Sequence, residues 1–180
     1  MGKTDLSKIK LLVLDVDGVL TDGGLMLTGD GDEIKTFNVR DGSGMKYWKR
    51  AGGKLAIVSG RGAPAVLRRA KELNVDAVRL NAKDKLPALE AILAELDVTA
   101  DQTAVMGDDL TDLPMARRCA LSIAPADAVE EYKQAASHVT KAVGGRGAVR
   151  ETVEMILKAT GKWRQILSRY SPQGGEEPGK

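Results

Sequence analysis

The chain has 180 residues, 43% of them hydrophobic and 29% charged, which is enough apolar material for one substantial core. Lys and Arg total 27 against 25 Asp and Glu, a net charge of +2 that argues against a partner bound by phosphate neutralisation, such as a nucleic acid. A single cysteine, Cys119, and a single histidine, His138, exclude an intramolecular disulfide, a cysteine-based zinc cluster and a multi-histidine metal site, and 3% aromatic residues are too few for a base-stacking platform.

Ile9–Val16 is a short apolar run stopped by Asp-Gly, the pattern of a strand buried on both faces of a parallel sheet. It is too short for a secretory h-region, and nothing along the chain approaches the roughly 20 apolar residues of a membrane span. A cytoplasmic protein with no membrane partner is therefore expected. Residues 21–41 carry two extended runs around Gly29-Asp-Gly-Asp32 and predict a β-hairpin. Asp41-Gly-Ser-Gly44 predicts a helix start, with Met45, Trp48 and Ala51 at helical spacing and Gly52-Gly53 as its stop. Strands are then predicted at 54–58, 77–80, 103–106 and 120–123. Helices are predicted at 63–73, 85–96, 110–118, 128–135 and 148–159. Strand–helix alternation at this spacing predicts an α/β fold, a Rossmann-like parallel sheet with helices on both faces, as one domain over residues 1–169. The Gly- and Pro-containing segment 170–180 reads as a disordered tail.

Ligands of such sheets bind beyond the carboxyl ends of the strands. Asp15 and Asp17 follow the first strand, Ser59, Gly60 and Arg61 the second, and Lys83, Asp84 and Lys85 the third. Gly107, Asp108, Asp109 and Asp112 follow the fourth. Converging carboxylates repel unless a cation or a shared proton holds them, and oxygen ligands suit Mg²⁺. Ser59 and Lys85 add a hydroxyl and a positive charge, the complement of a phosphoryl group, and Asp15 can act as a carboxylate nucleophile. Singly, Ser59 reads as a helix cap and Lys85 as a solvated helix residue; their order at successive strand ends points to a site. An EF-hand loop fails, because one starting at Asp15 finds Leu20 and Met26 where Gly and Glu are required. A receiver-like phospho-acceptor module is the non-enzymatic alternative, but here Lys85 precedes the second acid cluster, the order of a hydrolase.

Asp15-Val-Asp-Gly-Val-Leu-Thr, Val58-Ser-Gly-Arg61, Lys85 and Gly107-Asp-Asp-Leu-Thr-Asp112 resemble the four motifs of the haloacid dehalogenase superfamily of phosphohydrolases. Asp15–Gly23, Asn38–Gly42, Gly107–Pro114 and Gly144–Glu151 narrow the resemblance to its 3-deoxy-D-manno-octulosonate 8-phosphate (KDO 8-phosphate) phosphatase family, over residues 9–160. The resemblance implies a capless Mg²⁺-dependent phosphatase of a small-molecule sugar-acid phosphate, working through an aspartyl-phosphate in lipopolysaccharide precursor biosynthesis. A nine-carbon nonulosonate 9-phosphate is the alternative substrate. It implies Asp15 as nucleophile, Asp17 as acid and base, and Asp15, Asp108 and the Asp17 carbonyl as metal ligands, with Asp109 behind them. Ser59 and Lys85 would hold the phosphoryl oxygens, Arg61 and Gly60 would meet the substrate, and hairpins would join four copies into a homotetramer. Gly144-Gly-Arg-Gly147 reads either as an anion-binding helix entry or as a tight turn.

Overall fold

The structure, a computed structural model, describes residues 4–170. Six parallel strands form one sheet: β1 (Leu11–Leu14), β4 (Lys54–Val58), β5 (Ala77–Arg79), β6 (Thr103–Met106), β7 (Leu121–Ala124) and β8 (His138–Val139). Their spatial order is β5-β4-β1-β6-β7-β8. The central strand is buried along its whole length, as its unbroken Leu/Val run predicts. Its alternate residues feed two cores. Leu12 and Leu14 pack with Met45 and Trp48 of α1 (Val39–Arg50), Val66 and Ala70 of α2 (Pro64–Glu72), and Val153, Ile156 and Leu157 of α6 (Ala148–Ala159). Leu11 and Val13 pack with Leu89 and Ile92 of α3 (Lys85–Glu95), Met115 of α4 (Leu113–Arg118) and Tyr132 of α5 (Glu130–Ala135). Period-two alternation along a strand thus builds the two helical layers.

Register fixes where the chemistry falls. Leu14 of β1 stands opposite Ile57 of β4 on one side and Met106 of β6 on the other. The residues that follow, Asp15, Ser59 and Asp108, therefore leave three adjacent strands at one edge. The chain moves outward from β1 to β4 and β5, then returns to β6 on the opposite side of β1, so this edge is also a topological switch point.

Three sequence expectations are corrected. Helix α1 begins at Val39 rather than Asp41, because the Asn38 side chain accepts from the Arg40 N–H at 2.8 Å and caps it. Asp41 lies inside that helix and is buried. Its carboxylate accepts from the Gly147 N–H at 3.0 Å and the Arg150 N–H at 2.8 Å, satisfying the start of α6 across 109 residues of sequence. Second, β8 and a short α7 (Trp163–Ser168) were not anticipated; a two-residue strand and a six-residue helix carry too little periodicity to read. Third, the predicted hairpin pairs only Met26–Leu27 (β2) with Glu33–Ile34 (β3), antiparallel, and both residues of β2 are exposed. Neither face of that strand covers the domain, whereas alternation would place one face on it. Of the predicted tail, Tyr170 packs edge-on against Tyr47 and its hydroxyl accepts from Arg50 at 2.7 Å; residues 171–180 lie outside the described residues. No helix among the described residues is long and apolar enough to cross a membrane.

Candidate active site

A cavity of about 470 Å³ opens at the switch point, lined by Asp15, Asp17, Ser59, Gly60, Arg61, Lys85, Asp108 and Asp109, together with Lys83 and Thr111. Of the residues predicted from the strand ends, Asp84, Gly107 and Asp112 alone do not line it. Asp15 is 5% exposed and its backbone N–H donates to the Met106 carbonyl at 3.0 Å, which ties it to β6. The Lys85 ammonium, 4% exposed, lies 3.0 Å from Asp15 Oδ1 and 2.6 Å from Asp112 Oδ1. It is a buried, doubly paired cation, and the solvated reading of Lys85 does not apply.

Asp112 is the residue that sequence reasoning undervalued. It is fully buried, and each of its oxygens is engaged: Oδ1 by Lys85, Oδ2 by the Asp108 N–H at 3.1 Å and the Asp109 N–H at 3.4 Å. A satisfied carboxylate of this kind fixes Lys85 and the Asp108 backbone rather than contacting substrate. The signal was present as the last letter of Gly107-Asp-Asp-Leu-Thr-Asp112, but only the 3₁₀ turn Leu110–Asp112 folds it beneath Asp108. Asp109 lines the cavity, and its carboxylate caps that turn by accepting from the Leu110 N–H at 2.7 Å.

The carboxylates that converge are those of Asp15, Asp108 and Asp112, with oxygens within 4.8 Å of one another. The Asp17 carboxylate lines the same cavity but stands outside this group. Regular strand ends at Leu14, and the Val16 carbonyl accepts from the N–H groups of Val19, Leu20 and Thr21, so the chain curls before Asp17. The Asp17 carboxylate turns instead to Lys35 of the hairpin. Gly18 follows with φ of +82°, and a Cβ there would stand 2.0 Å from Asp108 Oδ2. Gly18→Ala is therefore expected to displace Asp108 and weaken Mg²⁺ binding at least about tenfold, the scale of a ~1–2 kcal/mol left-handed penalty plus a clash. A Mg²⁺ titration of thermal unfolding checks this, and an unchanged midpoint would refute it.

Burial, followed by repulsion from Asp112, pushes the Asp15 carboxyl up to about 7, with Lys85 opposing the rise. Burial and the charges of Asp15 and Asp112 push Asp108 up to about 7 as well. Hard oxygen donors destabilised by their own proximity fit a divalent cation, which relieves the repulsion on binding. Ser59 is buried, and its Oγ accepts from the Arg61 N–H at 3.2 Å; it caps no helix, since α2 begins at Pro64 after Ala63. Arg61 is half exposed and pairs with Glu33, its Nε 3.2 Å from Glu33 Oε1. The Gly144–Gly147 turn spends its N–H groups internally, on Asp127, Val19, Val143 and Asp41. A Cβ at Gly144 would meet the Gly18 carbonyl oxygen at 1.8 Å, so the turn serves close packing against the loop that follows Asp15, not anion binding. Arg146 reaches out to Asp22 at 3.2 Å.

A doubly covered parallel sheet with buried carboxylates and a paired lysine at its switch point is the framework of the haloacid dehalogenase-like hydrolases, and the family model of that description matches residues 79–150. The KDO 8-phosphate phosphatase of Haemophilus influenzae is 44% identical over 157 residues, 87% of either chain, and that of Escherichia coli K12 is 41% identical over 154 residues, 86% of this chain and 82% of the relative. The crystal structure of the Moraxella catarrhalis KDO 8-phosphate phosphatase, in complex with magnesium ion, phosphate ion and KDO, superposes with a TM-score of 0.89 at 37% identity, covering 92% of this chain and 95% of that one. The cobalt-bound H. influenzae phosphatase gives 0.85 at 44% identity, covering 87% and 92%. The chain belongs to the KDO 8-phosphate phosphatase family.

Proposed function

We propose that this chain is a Mg²⁺-dependent phosphoric monoester hydrolase that converts KDO 8-phosphate to KDO and phosphate, in the cytoplasm and as part of lipopolysaccharide precursor biosynthesis. The observation that carries the reading is Asp15, a buried carboxylate held by Lys85 at the switch point and facing Asp108, in a chain 44% identical to a phosphatase of that substrate. Asp15, Asp108 and the backbone carbonyl of Asp17 would hold the ion, which when bound supplies positive charge against the phosphoryl oxygens.

The chain's own groups divide the remaining work. Asp15 attacks phosphorus, the bond to the sugar oxygen breaks, and an aspartyl-phosphate forms. Asp17 donates a proton to the departing sugar oxygen, then takes one from the water that cleaves the acyl phosphate. Lys85 has three donor hydrogens and two acidic partners, leaving one for a phosphoryl oxygen; the Ser59 hydroxyl, whose oxygen already accepts from Arg61, has its proton free for another. Arg61 and Gly60 line the cavity, where the sugar-acid carboxylate would exchange with Glu33 on the guanidinium. Phosphate release measured over a panel of sugar phosphates, with and without Mg²⁺, tests the reading. The eight-carbon substrate is expected to be preferred and Mg²⁺ required; preference for a nine-carbon nonulosonate 9-phosphate, or metal-independent release, would overturn it.

Oligomerisation belongs to the same reading. Leu25, Met26, Leu27 and Ile34 are 48–58% exposed on one small hairpin, an apolar edge that soluble chains cover. A homotetramer with hairpins joined around its axis, each roofing a neighbouring cavity, would bury it and exclude water from the reaction. Leu27→Asp or Ile34→Asp is expected to give smaller species by light scattering, with weaker turnover of the sugar phosphate and a smaller loss on a small generic phosphate. Wild-type protein that is monomeric at micromolar concentration and fully active would defeat this.

A further inference from the structure

The hairpin holds one residue facing the wrong way for a solvated loop. Its apolar side chains point out, while Lys35, one position beyond β3, turns in with a side chain only 2% exposed. A buried ammonium persists only when paired. Lys35 pairs with Asp17 Oδ1 and lies 3.0 Å from Glu33 Oε2; Glu33 in turn pairs with Arg61, whose Nε is 4.0 Å from Asp17 Oδ2. These two acids and two bases form one neutral network linking the hairpin to the catalytic loop. Within it the Asp17 carboxyl has one oxygen held by a buried cation and the other pointed toward the cavity-lining Arg61.

We infer that Lys35 is a positioning residue for the proton-transfer step: it clamps one oxygen of Asp17 so that the other is presented to the sugar oxygen. This rests on the acid–base role proposed for Asp17. An unheld aspartate rotates about two side-chain bonds, and small misplacements of a reacting group are costly. Glu33 also lies 3.0 Å from the ammonium, so Lys35 keeps an anionic partner whatever the Asp17 carboxyl contacts. A hairpin is an economical carrier for the clamp, because the element that would close the site between subunits also sets the geometry within it.

A double-mutant cycle tests the inference. Lys35→Met is expected to lower kcat on KDO 8-phosphate by about 10- to 100-fold with KM changed less than about threefold, the scale of a misplaced reacting group. In an Asp17→Asn background the same substitution is expected to cost less than about twofold, because Lys35 acts through Asp17. Lys35→Arg is expected to restore most of the turnover. Should Lys35→Met not fold, Lys35→Gln carries the same cycle, with light scattering confirming an unchanged assembly. Losses that multiply in the double variant would assign Lys35 to folding, assembly or substrate contact and overturn the inference alone, as would wild-type kcat for Lys35→Met. Near-wild-type turnover by Asp17→Asn itself would remove the acid–base reading and the inference with it.

Discussion

Asp15→Asn is expected to fold, bind phosphate-like ligands and fail to turn over, with phosphate release lower by several orders of magnitude. The amide keeps the shape of the side chain but removes its nucleophilic oxygen, and no other carboxylate can take its place. Asp112 is fully buried with both oxygens engaged, Asp108 would be held by the cation it shares with Asp15, and Asp17 is clamped to Lys35. Stability is expected to move the other way. Burial and Asp112 both work against the Asp15 charge, while Lys85 keeps its 2.6 Å partner in Asp112. Neutralising Asp15 therefore removes a buried repulsion without orphaning the cation, and the melting temperature in the absence of metal should equal or exceed that of wild type. Thermal unfolding beside a phosphate-release assay checks both halves. A variant that is inactive because it is unfolded, or one that retains near-wild-type turnover, would remove Asp15 from the nucleophile's role.

The contrast between what the sequence exposed and what it concealed follows the range of the interactions. Asp15, Ser59, Lys85 and Asp108 were legible because parallel strands in register bring successive strand ends together, so position in the chain predicts position in space. Lys85 already illustrates the limit: its place at the start of α3 could be read, but not that Asp15 and Asp112 bury it. Asp41 looked like the opening of its own helix and instead caps α6, a contact made by folding across 109 residues that no local pattern encodes. Lys35 was hidden for a related reason. A lysine in a short hairpin has the signature of a solvated side chain, and only the curl of the chain after Val16, which swings Asp17 toward the hairpin, gives it a buried partner. The same curl takes the Asp17 carboxylate out of the group formed by Asp15, Asp108 and Asp112.

Removal of Mg²⁺ is expected to abolish turnover and to expose a contribution of Asp15 and Asp108 to stability whose pH dependence runs opposite to ordinary acid denaturation. In the metal-free chain the Asp15 carboxyl is pushed up to about 7 by burial and the Asp112 charge, and the Asp108 carboxyl up to about 7 by burial and the charges of Asp15 and Asp112, against roughly 3.9 for an unfolded aspartate. Between those values the folded state binds more protons than the unfolded one, so these two groups contribute stability that is fully present below about pH 4 and is lost as pH rises through about 7. Every tenfold difference in proton affinity between the folded and unfolded chain is worth about 1.4 kcal/mol. The two groups repel each other, so their contributions do not add independently, and a loss of a few kcal/mol across the window is the expected scale. A divalent cation replaces the missing protons. The gain in melting temperature on adding millimolar Mg²⁺ should therefore be small near about pH 5, where the ion competes with protons, and large near about pH 8, where it neutralises one buried and one half-buried anion. At roughly 2–4 °C per kcal/mol for a domain of this size, the difference between the two conditions should be several degrees. Taking the difference with and without metal at each pH cancels the titration of every other group. In Asp108→Asn the pH dependence of the Mg²⁺ gain should flatten, since one of the two repelling charges is gone. A gain that is independent of pH in the wild type, or larger at the acidic end, would show that Asp15 and Asp108 do not form the cation site.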